Sequence, residues 1–298
     1  MDALTFEDAP ELRDPVLVVA FYGWNDAAEA ATDAVRYLRR SSIRAGGTRS
    51  TVASIDPEEF FVFTEQRPTL RIVEGETREL TWPVTDFTIA RQEDGERDFI
   101  LGIGTEPHLK WKTFAAQIMA VAHHFGAKEL LTLGALLADT PHTRPVPVSG
   151  GASDPERAKR LGFESSRYEG PTGILGTLGD ACRRDGLEQV SLWASVPHYI
   201  SGGKNPKATH AILTRLNEVY DIRLDLSDLE RRAHRYETQV TEALRGSPDV
   251  QEYVNDLEET STDDETTTER PADGTPLSSS DVLDEVNRLL AGDDPDAD

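Results

Sequence analysis

Nine residues in four loops carry the groups from which a small polar site could be built. Gly23, Trp24, Asn25 and Asp26 follow an apolar run that ends at Phe21, and Glu106 lies in Gly102-Ile103-Gly104-Thr105-Glu106-Pro107-His108. Asp139, His142 and Arg144 share the segment Ala138 to Pro145, and His198 opens the segment Pro197 to Lys204. Two imidazoles, an arginine, several carboxylates and many backbone N–H groups are the parts of a pocket for a polar or anionic small molecule. The same residues also suit loops that merely face solvent, and both readings stand at this level. No GxGxxG, Walker A, HExxH or GxSxG pattern occurs, so no residue is assigned a catalytic role. His123 and His124 are adjacent, and on a helix they point about 100° apart, a poor start for a shared metal. Cys182, the one cysteine, reads as a packed helical thiol and excludes an internal disulfide or a thiolate cluster. No metal and no cofactor is expected.

The elements that must position these loops read as α/β. Val16 to Phe21 is a continuous apolar run, the mark of a strand buried on both faces. Ala27, Ala30, Ala31, Ala34, Val35 and Leu38 then recur at helical spacing, with Asn25 or Asp26 as the N-cap. Similar strands are expected at Phe99 to Gly104, Leu130 to Leu137 and Val190 to Val196, with helices over 111–125 and 206–220. Residues 51–90 alternate apolar and polar, which predicts shorter strands, some antiparallel. Strands alternating with helices imply a three-layer α/β/α arrangement on a mixed, mostly parallel sheet. Ligands of such sheets collect outside the carboxyl ends of the strands, where the four loops would lie.

Beyond the sheet, Leu226, Leu229, Ala233, Tyr236, Val240 and Ala243 form a heptad seam, with Ser227 and Glu230 as a capping box. Gly246-Ser247-Pro248 breaks that helix, and Val250, Tyr253 and Leu257 begin a second one. Such a pair either packs on its own domain or forms a subunit or partner interface. The chain of 298 residues thus divides into an α/β domain over 1–225, a helical extension over 226–258 and an acidic tail over 259–298. The formal charge is −23, and residues 249–298 alone hold 17 acidic and two basic residues. Residues 258–280 offer one leucine and no aromatic, too little apolar area to offset backbone ordering, so disorder is expected there. A short helix is expected at 280–290, where Val282, Val286, Leu289 and Leu290 share one face. The charge argues against nucleic-acid partners, which need basic stripes, and against an anionic membrane surface. The acidic N-terminus has no apolar signal region, and a cytoplasmic protein is expected.

The run Gly23-Trp24-Asn25-Asp26-Ala27 resembles the proteasome assembly chaperone type 2 family. So do Gly104-Thr105-Glu106-Pro107 with Trp111, Pro141-His142-Thr143-Arg144-Pro145, Gly170-Pro171-Thr172-Gly173 and Pro197-His198-Tyr199. The resemblance covers about residues 15–243 and is nearest the actinobacterial-type branch. It implies a three-layer fold similar to the phosphorylase/hydrolase class, homo-oligomers, and a non-enzymatic chaperone or adaptor role toward protein partners, with proteasome subunits as candidates. Some members of the family end in a hydrophobic-Tyr-any tripeptide; Asp296-Ala297-Asp298 departs from it. The alternative is an enzyme or sensor with a nucleoside- or phosphate-like ligand in the crevice.

Overall fold

The computed structural model describes residues 3–8, 10–44, 50–73, 77–91, 97–164, 168–200, 203–246 and 248–263. The strands are β1 (Leu4–Phe6), β2 (Val16–Tyr22), β3 (Thr51–Ile55), β4 (Thr69–Val73), β5 (Thr77–Thr81), β6 (Thr85–Ala90), β7 (Phe99–Thr105), β8 (Glu129–Ala138), β9 (Val148–Ala152) and β10 (Glu188–Pro197). The helices are α1 (Ala30–Arg44), α2 (Trp111–His124), α3 (Pro155–Arg160), α4 (Ile174–Asp185), α5 (Pro206–Tyr220), α6 (Ser227–Leu244) and α7 (Pro248–Asp263). Eight strands form one sheet in the order β1-β3-β6-β7-β2-β8-β10-β9. The central four, β7, β2, β8 and β10, are parallel, and the flanking strands pair antiparallel. The sheet is mixed, with its parallel part confined to the centre.

Strand β2 shows why the layers form. Its side chains alternate across the sheet, and every residue from Val16 to Phe21 is buried. Val16, Val18 and Ala20 pack on Ala34 and Leu38 of α1 and on Ile212 and Leu216 of α5. Leu17, Val19 and Phe21 pack on Phe114 and Ile118 of α2 and on Ile174 and Leu178 of α4. A run apolar at every position therefore needs a helical layer on each face.

The heptad seam turns inward. Leu229 joins the core between the sheet and α5, while Tyr236, Val240 and Leu244 meet Tyr199, Ile200, Val250 and Val254 in a separate cluster. Leu244, not Ala243, completes the fully buried stripe, because a straight helix drifts away from a strict heptad. The capping box does not form. Asp225 Oδ1 accepts from Ser227 N at 3.0 Å and from Ser227 Oγ at 2.6 Å, so the residue two before Ser227 supplies the turn that starts α6. Helix α7 continues to Asp263, and the helix expected at 280–290 lies outside the described residues. Cys182 is buried beside Met119, and burial pushes its thiol up to about 12, consistent with a packing role.

Because Val240 is fully buried against Tyr199, Ile200 and α7, Val240→Asp is expected to lower stability by about 3 kcal/mol or more. Chemical denaturation should show that loss, with the mass of the native species unchanged by sedimentation.

Candidate functional site

The first loop is built around two carboxylates. After β2, Gly23 adopts φ +123°, and Asn25 O accepts from Ala135 N at 2.8 Å, which pins the loop to β8. Asp26 then turns back beneath the start of α1. Its Oδ1 accepts from Ala31 N at 2.8 Å and Thr32 N at 3.2 Å, and its Oδ2 accepts from Thr32 Oγ1 at 2.5 Å. The cap therefore reaches five and six residues along the chain, past a single 3-10 turn at Ala27–Glu29. Ala28 and Glu29 both hold φ +52°, a left-handed conformation unfavourable for residues with a Cβ. Burial dominates the Asp26 carboxyl and raises it to about 6, against the lowering pull of its hydrogen bonds.

Glu106 performs the same task for α4. Its Oε1 accepts from Ile174 N at 2.7 Å and from Asn25 Nδ2 at 2.7 Å, while its own N–H bonds Tyr22 O at 2.8 Å. Gly173 makes the approach possible. A Cβ there would stand 2.4 Å from both side-chain tips of Asn25 and 2.7 Å from Glu106 Oε1. Asn25 is 1% exposed, and its Oδ1 has no hydrogen-bond partner among the described residues. Gly23 and Asn25 thus meet Glu106, with Asp26 beside them, as a closed lock. The helix N-termini of α1 and α4, each a natural anion site, already hold a carboxylate of the same chain.

Asp139, His142 and His198 form a second cluster, and it faces the C-terminal helices. His142 N donates to Tyr199 Oη at 2.7 Å; its Nδ1 lies 2.8 Å from the same hydroxyl and its Nε2 lies 3.1 Å from Thr241 Oγ1 of α6. His142 O accepts from Lys207 Nζ at 2.5 Å, which also reaches Glu237 of α6. Thr143 Oγ1 bonds Glu258 of α7. His198 Nδ1 stands 3.2 Å from Asp139 Oδ1, and Tyr253 Oη of α7 donates to that oxygen at 3.3 Å. Burial, then the nearby Lys207, lower His142 to about 4, while Glu237 and Glu258 oppose them. Its imidazole is therefore held neutral between two hydroxyls.

Two candidates stay outside both clusters. Arg144 is exposed and its guanidinium bonds none of the other candidates, and Trp24 is 66% exposed. His123 pairs with Asp185 at 2.5 Å and His124 stacks on Phe6, so the adjacent histidines diverge. Among the described residues no group of three or more His, Cys, Asp or Glu is placed to hold a metal. Gly173, Thr32, Tyr199 and Thr241 complete the two clusters without having been singled out as partners. Gly170-Pro171-Thr172-Gly173 and Pro197-His198-Tyr199 were among the motifs that carry the resemblance, but nothing marked Thr241.

The mixed sheet between two helical layers matches solved PAC2 structures, and the chain belongs to the PAC2 family, whose model matches residues 20–244. A PAC2 family protein from Streptomyces avermitilis is 45% identical, over 81% of this chain and 100% of that one, with TM-score 0.73. A proteasome-assembly chaperone homologue from Mycobacterium tuberculosis is 43% identical, over 80% and 99% of the two chains, also at TM-score 0.73. An archaeal proteasome activator from Pyrococcus furiosus shares the fold at 17% identity, 81% and 99% coverage and TM-score 0.65. No curated protein matches the chain. No described helix is long and apolar enough to cross a membrane.

The two clusters oppose each other in pH. The unfolded Asp26 titrates near 3.8 and the folded one near 6, so its contribution to stability is full below pH 3.8 and lost as pH rises to 6. His142 has the reverse sign: its contribution is full above pH 6.5 and lost as pH falls to 4. Each is worth on the order of 2–3 kcal/mol, and they offset each other between pH 4 and 6. Denaturation from pH 4 to 6.5 should find Asp26→Asn gaining stability with pH and His142→Gln losing it, relative to the flatter parent. Parallel profiles in all three proteins would contradict the assignment.

Proposed function

We propose that this protein is a non-enzymatic assembly chaperone or adaptor whose clients are proteasome subunits, working through the carboxyl edge of its sheet. The observation that carries this reading is the internal use of the groups an enzyme would present to a ligand. Asp26 and Glu106 fill the helix N-termini, His142 is bonded to Tyr199 and to Thr241 of α6, and Asp139 accepts from Tyr253 of α7, while His198 Nδ1 lies 3.2 Å from Asp139 without hydrogen-bond geometry. What the same edge offers outward is apolar. Trp24, Leu109 and Leu137 follow or end the neighbouring strands β2, β7 and β8, and all three are exposed. Tyr168, hydrogen-bonded to Pro171 O beside Gly173, adds a fourth exposed side chain. Exposed apolar residues gathered around a filled crevice suit a protein partner better than a solute. The likeness to a proteasome-assembly chaperone homologue supports proteasome subunits as the clients.

One observation favours a small ligand instead: the buried Asn25 Oδ1, which would accept a hydrogen bond from a donor group. An anionic nucleotide or phosphate meets two resident carboxylates there, so such a ligand would be neutral or cationic at its buried end.

Native mass spectrometry of the full chain with purified proteasome α and β subunits should reveal a complex. Trp24→Ser together with Leu137→Ser should weaken it at least tenfold without changing the melt. No complex with either subunit, together with a melting temperature raised by a nucleoside at millimolar concentration, would establish the ligand reading in its place.

A further inference from the structure

Helix α7 has 16 residues and is about 24 Å long, yet of residues 248–260 only Val250 and Val254 are buried. Tyr253 and Leu257 are half-buried beside them, so the stripe runs at i, i+3, i+4 and i+7. That spacing is how an amphipathic helix seats in an apolar groove. The walls of the groove are Tyr199 and Ile200 after β10 and Tyr236, Val240 and Leu244 of α6. At its rim Tyr253 Oη donates to Asp139 Oδ1 at 3.3 Å and Gln251 Nε2 to Leu244 O at 3.3 Å, while Thr143 Oγ1 bonds Glu258.

Two further observations set α7 apart from the walls it covers. Every wall residue lies within the family match at 20–244, and all of α7 lies beyond it. The second is charge. Helix α7 carries Asp249, Glu252, Asp256, Glu258, Glu259 and Asp263 and no basic residue, while residues 1–248 hold 37 acidic and 29 basic residues. Two acidic bodies repel, and Glu258, Glu259 and Asp263 also stand at the negative end of the helix dipole. A helix of this length is marginal by itself in water. The order of α7 therefore comes from the groove, and its charge works against staying there.

We propose that α7 is a displaceable strap over a helix-binding groove, and that the groove takes a basic amphipathic helix of a protein partner. The partner helix carries apolar residues at i, i+4 and i+7 and lysine or arginine in its last turn. Its apolar spacing is set by the walls that Val250, Val254 and Leu257 fill in α7. Its basic end is set by the helix dipole and by the acidic body, where α7 offers carboxylates instead. Because α7 is tethered beside the groove, it competes at a high effective concentration, and a partner must bind more tightly than this acidic occupant. The groove shares no residue with Trp24, Leu109 and Leu137, and its opening does not require that the partner be a proteasome subunit.

The test uses the full chain, with a labelled, end-blocked peptide of residues 248–263 as the probe. No proteasome subunit enters it, so its outcome is separate from that of the functional reading. Hydrogen exchange of the parent should find the amides of α7 protected at least 100-fold less than those of α6. Val250→Ser/Val254→Ser should melt within a few degrees of the parent and bind the probe at least tenfold more tightly than the parent does. Adding Leu244→Ser, in the groove wall, should weaken that binding at least tenfold. A probe carrying Glu258→Lys, Glu259→Lys and Asp263→Lys should bind Val250→Ser/Val254→Ser more tightly still, an advantage that shrinks at 0.5 M salt. Exchange in α7 as slow as in α6, or a Val250→Ser/Val254→Ser protein that melts ten degrees lower or leaves the probe unbound, would overturn the proposal. So would a lysine probe that binds no better than the acidic one.

Discussion

The fold depends on the satisfaction of two helix N-termini at the carboxyl edge of its sheet. In a parallel α/β sheet those ends converge on the crevice and carry unpaired N–H groups with partial positive charge. Here Asp26 takes the N–H groups of Ala31 and Thr32, and Glu106 takes that of Ile174. Asn25 links the two loops by donating to Glu106 while its carbonyl accepts from Ala135. The left-handed φ of Ala28 and Glu29 follows from this demand, because the chain must both reach β8 and fold back under α1 within a few residues. Such strain costs on the order of 1–3 kcal/mol per residue and persists only where surrounding bonds over-determine it.

The second consequence concerns solvent. Helices α6 and α7 lie over the loops after β8 and β10, with Tyr236, Val240, Leu244, Val250 and Val254 packed on Tyr199 and Ile200. His142 is caught under this roof and bonded on both sides of its ring. A buried imidazole is inexpensive only when neutral, so the roof and the protonation state of His142 are coupled. Groups at the edge where other α/β proteins collect ligands are here bonded within the chain, and Trp24, Leu109 and Leu137 remain exposed beside them.

Much of this architecture was legible in one dimension. Val16 to Phe21 is apolar at every position, a pattern that a strand covered on both faces satisfies, Leu130 to Leu137 departs from it only at Thr132 and Gly134, and the helix expected over 206–220 starts in the structure from an Asn205 cap and Pro206. The seam of α6 was visible as a period; its direction was not, since an inward stripe and an interface stripe have the same spacing. The Ser227 capping box failed because Asp225, two residues earlier, offered a charged acceptor for the same turn.

The sequence by itself determined the central strands β2, β7, β8 and β10, helices α1, α2, α5, α6 and α7, the acidic character and the set of polar loop residues, because each depends on local spacing and composition. Only the tertiary structure decided what those residues touch. That Glu106 would cap a helix 68 positions later, or that His142 would meet Thr241, depends on strand order and on where the last two helices return. Neither leaves a periodic trace, since a hydrogen bond between distant segments constrains two single residues and no pattern around them.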